Sequence, residues 1–217
     1  MKNSKKIFII LFCIVLLPAL FYSVYEISSL DETEEMIGQM YNRQLDAVLF
    51  SVNQYVLDVA SSWATQIENG LPNDRFVRLL QTNPSIISVV VSDTALASWR
   101  SYPVRSPEYF QKLRTHRETI SRLLRYQSVA YRKLEPVIDS DSAFIILFAP
   151  SSSPSQIVGI VVNNERFITD VIGRKLTDLA QNDFILAVGR ISNTAMVFST
   201  EPLTGGLFSQ QRPLWIF

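Results

Sequence analysis

Between Arg100 and Lys133 the chain concentrates positive charge. Arg100, Arg105, Lys112, Arg114, Arg117, Arg122, Arg125, Arg132 and Lys133 stand against only Glu108 and Glu118. A guanidinium is a planar fork of donors, so such a run could hold a carboxylate or a phosphate. It could also be the solvated face of a helix, which is the expectation for Arg114, Arg117 and Arg125. Arg100, Tyr102 and Arg105 are better candidates, because they follow the second expected strand, beside Trp99. An aromatic wall with a few convergent polar groups is what a small-molecule site needs. Tyr131, with Asp139 and Asp141, could complete such a site with opposite charge.

Other chemistries find less. Asp139 and Asp141 could hold a hard cation with Ser140 and Ser142, but they lack EF-hand spacing, and an acidic loop is the ordinary reading. Ser151, Ser152, Ser153 and Ser155 need a base to become nucleophiles. His116 is the single histidine and reads as an ordinary surface or half-buried residue. A site needing two histidines is excluded. Cys13 is the single cysteine and lies in an apolar segment, so the remainder has neither a disulfide nor a cysteine metal site. Neither phosphate-cradling glycine motif occurs. Nothing marks a carboxylate pair for glycoside hydrolysis. The formal net charge is zero, which gives no bulk attraction to nucleic acid. The expectation is a chain with no catalytic set, no metal and no cofactor.

The elements that must position these residues begin with Ile7 to Tyr25, an uncharged apolar run led by Lys5 and Lys6. Its length suits a bilayer core of about 30 Å. Lys2, Lys5 and Lys6 belong on the cytoplasmic side, and Tyr22 and Tyr25 suit the outer interface. A cleaved signal is the rival reading. It is disfavoured by the length of the run and by the lack of a small-x-small exit. Residues 1–6 are then cytoplasmic, residues 7–25 an inner-membrane anchor, and the rest extracytoplasmic.

Residues 26–70 read as one long helix. Tyr41, Leu45, Val48, Val52, Tyr55 and Val59 recur in steps of 4, 3, 4, 3 and 4. Trp63 and Ile67 extend this stripe. Asn69-Gly70 is the stop, with glycine free for a left-handed cap. The stripe packs on its own sheet, pairs with a second copy, or does both, with Glu26 to Met40 as the pairing part.

Residues 71–205 read as a further domain. A short helix over Phe76 to Leu80 ends at Asn83-Pro84. Ile86 to Asp93 is a buried strand, and Ala95 to Tyr102 returns beside it. A helix runs from Pro107 to about Tyr126, while Val129 to Val137 is ambiguous. Ala143 to Ala149 and Ile157 to Val162 form a hairpin. Asn163 or Asn164 caps a helix with Phe167, Ile168, Val171, Ile172, Leu176 and Leu179 on its inner face. Ile185 to Ile191 and Thr194 to Thr200 form a second hairpin, and residues 206–217 lead back toward the membrane. Five or six strands with helices on one side make an α+β fold.

That order resembles a PAS-like sensor domain of the Cache type, in the N-terminal input region of a bacterial membrane sensor histidine kinase. The carriers are the span Ile7 to Tyr25, the helix through Leu45 to Tyr55, the strand Ile86 to Asp93, the hairpin Phe144 to Asn163 and the helix from Asn164. The resemblance implies an extracytoplasmic ligand-sensing module in a two-component system. It puts Trp99, Arg100 and Tyr102 near a pocket between the sheet and the following helix. The implied partners are the membrane, a small anionic or polar ligand and a second copy of the chain. No kinase core and no second span lie within these residues, so kinase activity belongs to no part of them. Two other readings stay open: a membrane-tethered structural or interaction protein, and an anchored hydrolase.

Overall fold

The computed structural model describes residues 2–71, 75–103, 108–140, 142–180, 185–189 and 196–202, with the side chains of 2–11, 13, 31 and 138–140 outside the description. The chain divides into two compact units, Met1–Val48 and Leu49–Phe217. Helix α1 covers Lys2–Gly70 and contains Pro18. In the first unit, every described large apolar side chain from Phe12 to Tyr25 is exposed. By length and composition α1 is sufficient to cross a membrane.

In the second unit α1 contributes a buried seam of Val52, Val56, Ala60, Trp63, Ala64 and Ile67. Val52, Trp63 and Ile67 of the expected stripe belong to this seam, whereas Tyr55 and Val59 lie at its half-buried margin and Val56, Ala60 and Ala64 are buried in their place. A helix packed on a sheet keeps its own period of about 3.6 residues, so its contact line drifts from a heptad track. Tyr41, at the head of the expected stripe, is exposed. Gly70 ends α1 for a reason of space. A Cβ there would lie 2.8 Å from the Phe76 backbone nitrogen, and Gly70 takes no left-handed φ.

Helix α2 (Val77–Thr82) ends at Asn83, whose backbone N–H donates to Leu79 O. Strands β1 (Ile86–Asp93), β2 (Trp99–Tyr102), β3 (Glu135–Ser140), β4 (Ala143–Phe148) and β5 (Gln156–Asn163) form one sheet in the order β2-β1-β5-β4-β3. Every pairing is antiparallel. Of the ambiguous stretch Val129 to Val137, only Glu135 to Val137 enters β3, an edge strand that tolerates Pro136 because an edge leaves one row of ladder bonds unmade. The return strand is shorter than expected. Leu96 takes φ 58 in the β1–β2 turn, and pairing resumes only at Trp99.

The β4 side chains are buried along the whole strand, which requires cover on both faces. On one face Ile145, Leu147, Gly159 and Val90 meet helices α3 (Glu108–Thr115) and α4 (Arg117–Ser128) through Phe110, Leu113, Ile120 and Leu123. On the other, Phe144 packs edge-on against Phe167, and Phe167 against Trp63 of α1. Helices on one side only is therefore corrected. Alternate residues of these strands are apolar in both registers, and each face needs its own layer.

The helix expected over Pro107 to Tyr126 is two helices broken at His116 (φ −98°, ψ 38°). Thr115 Oγ1 donates to Lys112 O, and the His116 N–H reaches back only to Leu113 O, which tightens and ends the turn. The helix after β5 is capped by Asn163, whose side chain accepts from Arg166 N–H. It runs as α5 (Asn164–Phe167), a π-helical turn (Ile168–Ile172) and α6 (Gly173–Ala180). Strands β6 (Ala187–Gly189) and β7 (Met196–Ser199) pair as a separate two-stranded sheet.

Candidate functional site

The sheet separates the first group of candidates. Trp99 stacks on Phe110 of α3, centroids 4.9 Å apart and planes 12° from parallel. Tyr102, three residues on, meets Phe76 edge-on at 5.1 Å. A strand alternates its faces with period two, so residues three apart point to opposite sides. Trp99 belongs to the core beneath α3 and α4, and Tyr102 to the opposite face. Arg100 is exposed opposite Val91. The three are not brought into one pocket. Where the resemblance places a cavity, between sheet and helix, Trp99, Phe110, Leu113 and Leu147 pack together. Arg105 and Asp141 lie outside the described residues, as does the Asp139 side chain.

Tyr131 lies elsewhere, and α4's ending decides where. The Tyr131 N–H donates to Tyr126 O and the Ala130 N–H to Gln127 O, with Ala130 at φ 56. These are the two bonds of a Schellman cap, built on alanine where glycine is usual. The cap folds Tyr131 back onto Tyr126, at 5.8 Å between ring centroids. The segment Tyr131–Leu134 then runs alongside the end of α4 into β3.

A groove of about 420 Å³ opens here, lined by Arg122, Arg125, Tyr126 and Val129. Helical spacing of three and four puts these residues on one face of α4 and its cap. Lys133 Nζ lies 4.7 Å from the centre of the Tyr126 ring and 3.3 Å from Glu135 Oε1. Arg122 holds the same carboxylate with Nη2 at 2.7 Å from Oε1 and Nε at 3.1 Å from Oε2. Glu135 thus bridges two cations. Among the described residues no carboxylate pairs with Arg125, which is exposed.

Arg132, the next residue back, turns the other way. Its Nη1 lies 3.1 Å from Glu68 Oε2, and its Nη2 donates to Ser61 Oγ at 3.1 Å and Thr65 Oγ1 at 2.9 Å. Glu68 Oε1 accepts from the Ser152 N–H at 2.8 Å. The last turn of α1 has no basic residue of its own. Arg132 supplies the positive charge that a helix C-terminus favours. Gln127 Nε2 donates to Pro150 O and ties α4 to the β4–β5 turn.

The site that the structure assembles is therefore the groove of Arg122, Arg125, Tyr126 and Val129, with Glu135 bonded to Arg122 and Tyr131 against Tyr126. Glu68, Glu135, Tyr126 and Val129 are the residues that reading the sequence missed. The Arg122 to Tyr126 spacing was a usable signal for the groove; nothing in the sequence announces Glu68. His116 is the link between α3 and α4 rather than part of the groove. Among the described residues no group of His, Cys, Asp and Glu could hold a metal ion. The Asp93 carboxyl is held below its ordinary value by the Ser98 hydroxyl and then by the Ala97 N–H. It organises the β1–β2 turn. The chain matches no family model and no curated protein.

Proposed function

We propose that this chain is the input module of a membrane-anchored receptor of the sensor-kinase type, with its PAS-like domain outside the cytoplasm. The observation that carries the reading is the division between two consecutive residues. Lys133 lies over the ring of Tyr126, which lines the groove, and against Glu135. Arg132 clasps the end of α1 through Glu68, Ser61 and Thr65. A ligand that shifts the Tyr131–Glu135 segment perturbs α1 through one peptide unit.

Three further features support it. The antiparallel sheet β2-β1-β5-β4-β3 with helices on both faces fits a PAS-like domain. Helix α1 is one hydrogen-bonded element over Lys2–Gly70, which includes the apolar segment and the clasped turn. The exposed apolar side chains of Phe12 to Tyr25 require a lipid or protein environment. The energetic condition is that the ligand binds one arrangement of the helix better than another. A homodimer through residues 26–40 gives the arrangement something to change.

The test uses the full chain in nanodiscs with Cys13→Ser and a spin label at Leu30→Cys. A thermal-shift screen of organic acids, amino acids and sugars comes first, then distances between labels on two copies. Stabilisation by one ligand class together with a changed distance is expected. Stabilisation with an unchanged distance sinks the signalling mechanism. A second reading, a tethered protein-interaction domain, draws on the exposure of Val129 and Tyr131. A chain that no small molecule stabilises supports that reading instead.

A further inference from the structure

We infer that the groove on α4 binds an oxyanion carrying an apolar body, and that Glu135 is the internal carboxylate holding its place. This rests on the sensing reading for its purpose but not for its chemistry. Arg122 and Arg125 line the groove, Lys133 lies over its Tyr126, and among the described residues Glu135 is the one carboxylate bonded to any of these three cations. The surplus is positive. The Arg122 guanidinium already demonstrates the geometry, because it takes a carboxylate through two nitrogens at 2.7 and 3.1 Å. Arg125, one helical turn on and exposed, has its fork free for a second oxyanion among the described residues.

The remaining lining is apolar or aromatic. Val129 is 72% exposed, and the Tyr126 ring forms the adjoining wall. An inorganic anion satisfies the arginines and leaves that wall wet. An aryl or alkyl carboxylate, or a phosphate on a lipid, satisfies both. The shared chemistry is an oxyanion beside a hydrophobic group. Its source is either a soluble organic acid or a membrane headgroup.

The experiment is calorimetric titration of the full chain in neutral detergent micelles with phenylacetate, inorganic phosphate and dihexanoyl phosphatidylglycerol. Saturable binding of phenylacetate or of the lipid, tighter than that of phosphate, is expected, and whichever binds names the source. Arg125→Ala weakens it by about tenfold or more, since a charge-assisted fork is lost. Arg125 is exposed, so this variant keeps its thermal midpoint. Glu135→Gln removes the internal competitor and tightens binding several-fold. Binding absent for all three probes in both the parent and Glu135→Gln overturns the proposal. So does binding that Arg125→Ala leaves unchanged, or phosphate binding as tight as phenylacetate. Binding with the expected variant pattern but no change in the Leu30 label distance leaves the anion site standing and removes only the sensing reading.

Discussion

Arg132 and Glu68 lie 64 residues apart in the chain and 3.1 Å apart in space. Glu68 sits in the last turn of α1, where a carboxylate is poorly placed against the helix dipole. The guanidinium reverses that disadvantage, and the Ser152 N–H occupies the other carboxylate oxygen. The pair is largely sheltered, with side-chain exposures of 24% and 12%.

Removing one partner leaves the other sheltered and without its opposite charge. Arg132→Ala and Glu68→Ala should each destabilise the second unit by about 1–3 kcal/mol. The double variant should lose less than the sum, because the two changes delete one interaction. Urea unfolding of the four proteins checks this; additive losses mean that the pair is not coupled.

Ala130 holds a left-handed conformation that costs an L-residue about 1–2 kcal/mol. Ala130→Gly should therefore stabilise the protein by about 1 kcal/mol, less the added freedom of glycine in the unfolded chain. Ala130→Val should destabilise it. A glycine variant with a lower thermal midpoint contradicts the Schellman cap.

Gly159 leaves room for α3 to rest on the sheet. A Cβ there would meet Ile145 Cγ2 at 3.2 Å, Leu147 Cδ2 at 3.3 Å and Leu113 Cδ1 at 3.4 Å. Gly159→Ala should cost about 1–3 kcal/mol through overpacking. In a Leu113→Ala background the same change should cost less, since one of the three neighbours has withdrawn. Denaturant midpoints across this cycle decide it.

Asp93 gives the pH dependence. Its folded-state value is lowered by the Ser98 hydroxyl and then by the Ala97 N–H. The stability it contributes is complete above the ordinary carboxylate value of 3.8 and fades as pH falls below it toward the lowered folded value. Asp93→Asn should be the less stable protein at pH 7, with the gap closing in acid below that value. A gap that stays constant from pH 7 to pH 2 refutes the role given to the carboxylate.

The periodicity of the chain specified most of the secondary structure. The long helix, the strand Ile86 to Asp93 and the Asn163 cap are all local matters. Apolar spacing, β-branching and a side-chain oxygen near a free N–H suffice to set them. The separation of Trp99 from Tyr102 follows from the same local period, since three residues along a strand reverse the face, although the resemblance groups them near one pocket. The sequence does not say which face of the sheet each helix covers, that Trp99 stacks on Phe110, or that Tyr131 folds onto Tyr126. Those outcomes depend on contacts between residues distant in the chain, and on a left-handed alanine that no propensity would nominate. The charge run from Arg100 to Lys133 carries the chemistry in its residue types. Only the tertiary structure divides it, with Arg132 turned to α1, Lys133 and Arg122 sharing Glu135, and Arg125 left facing the groove.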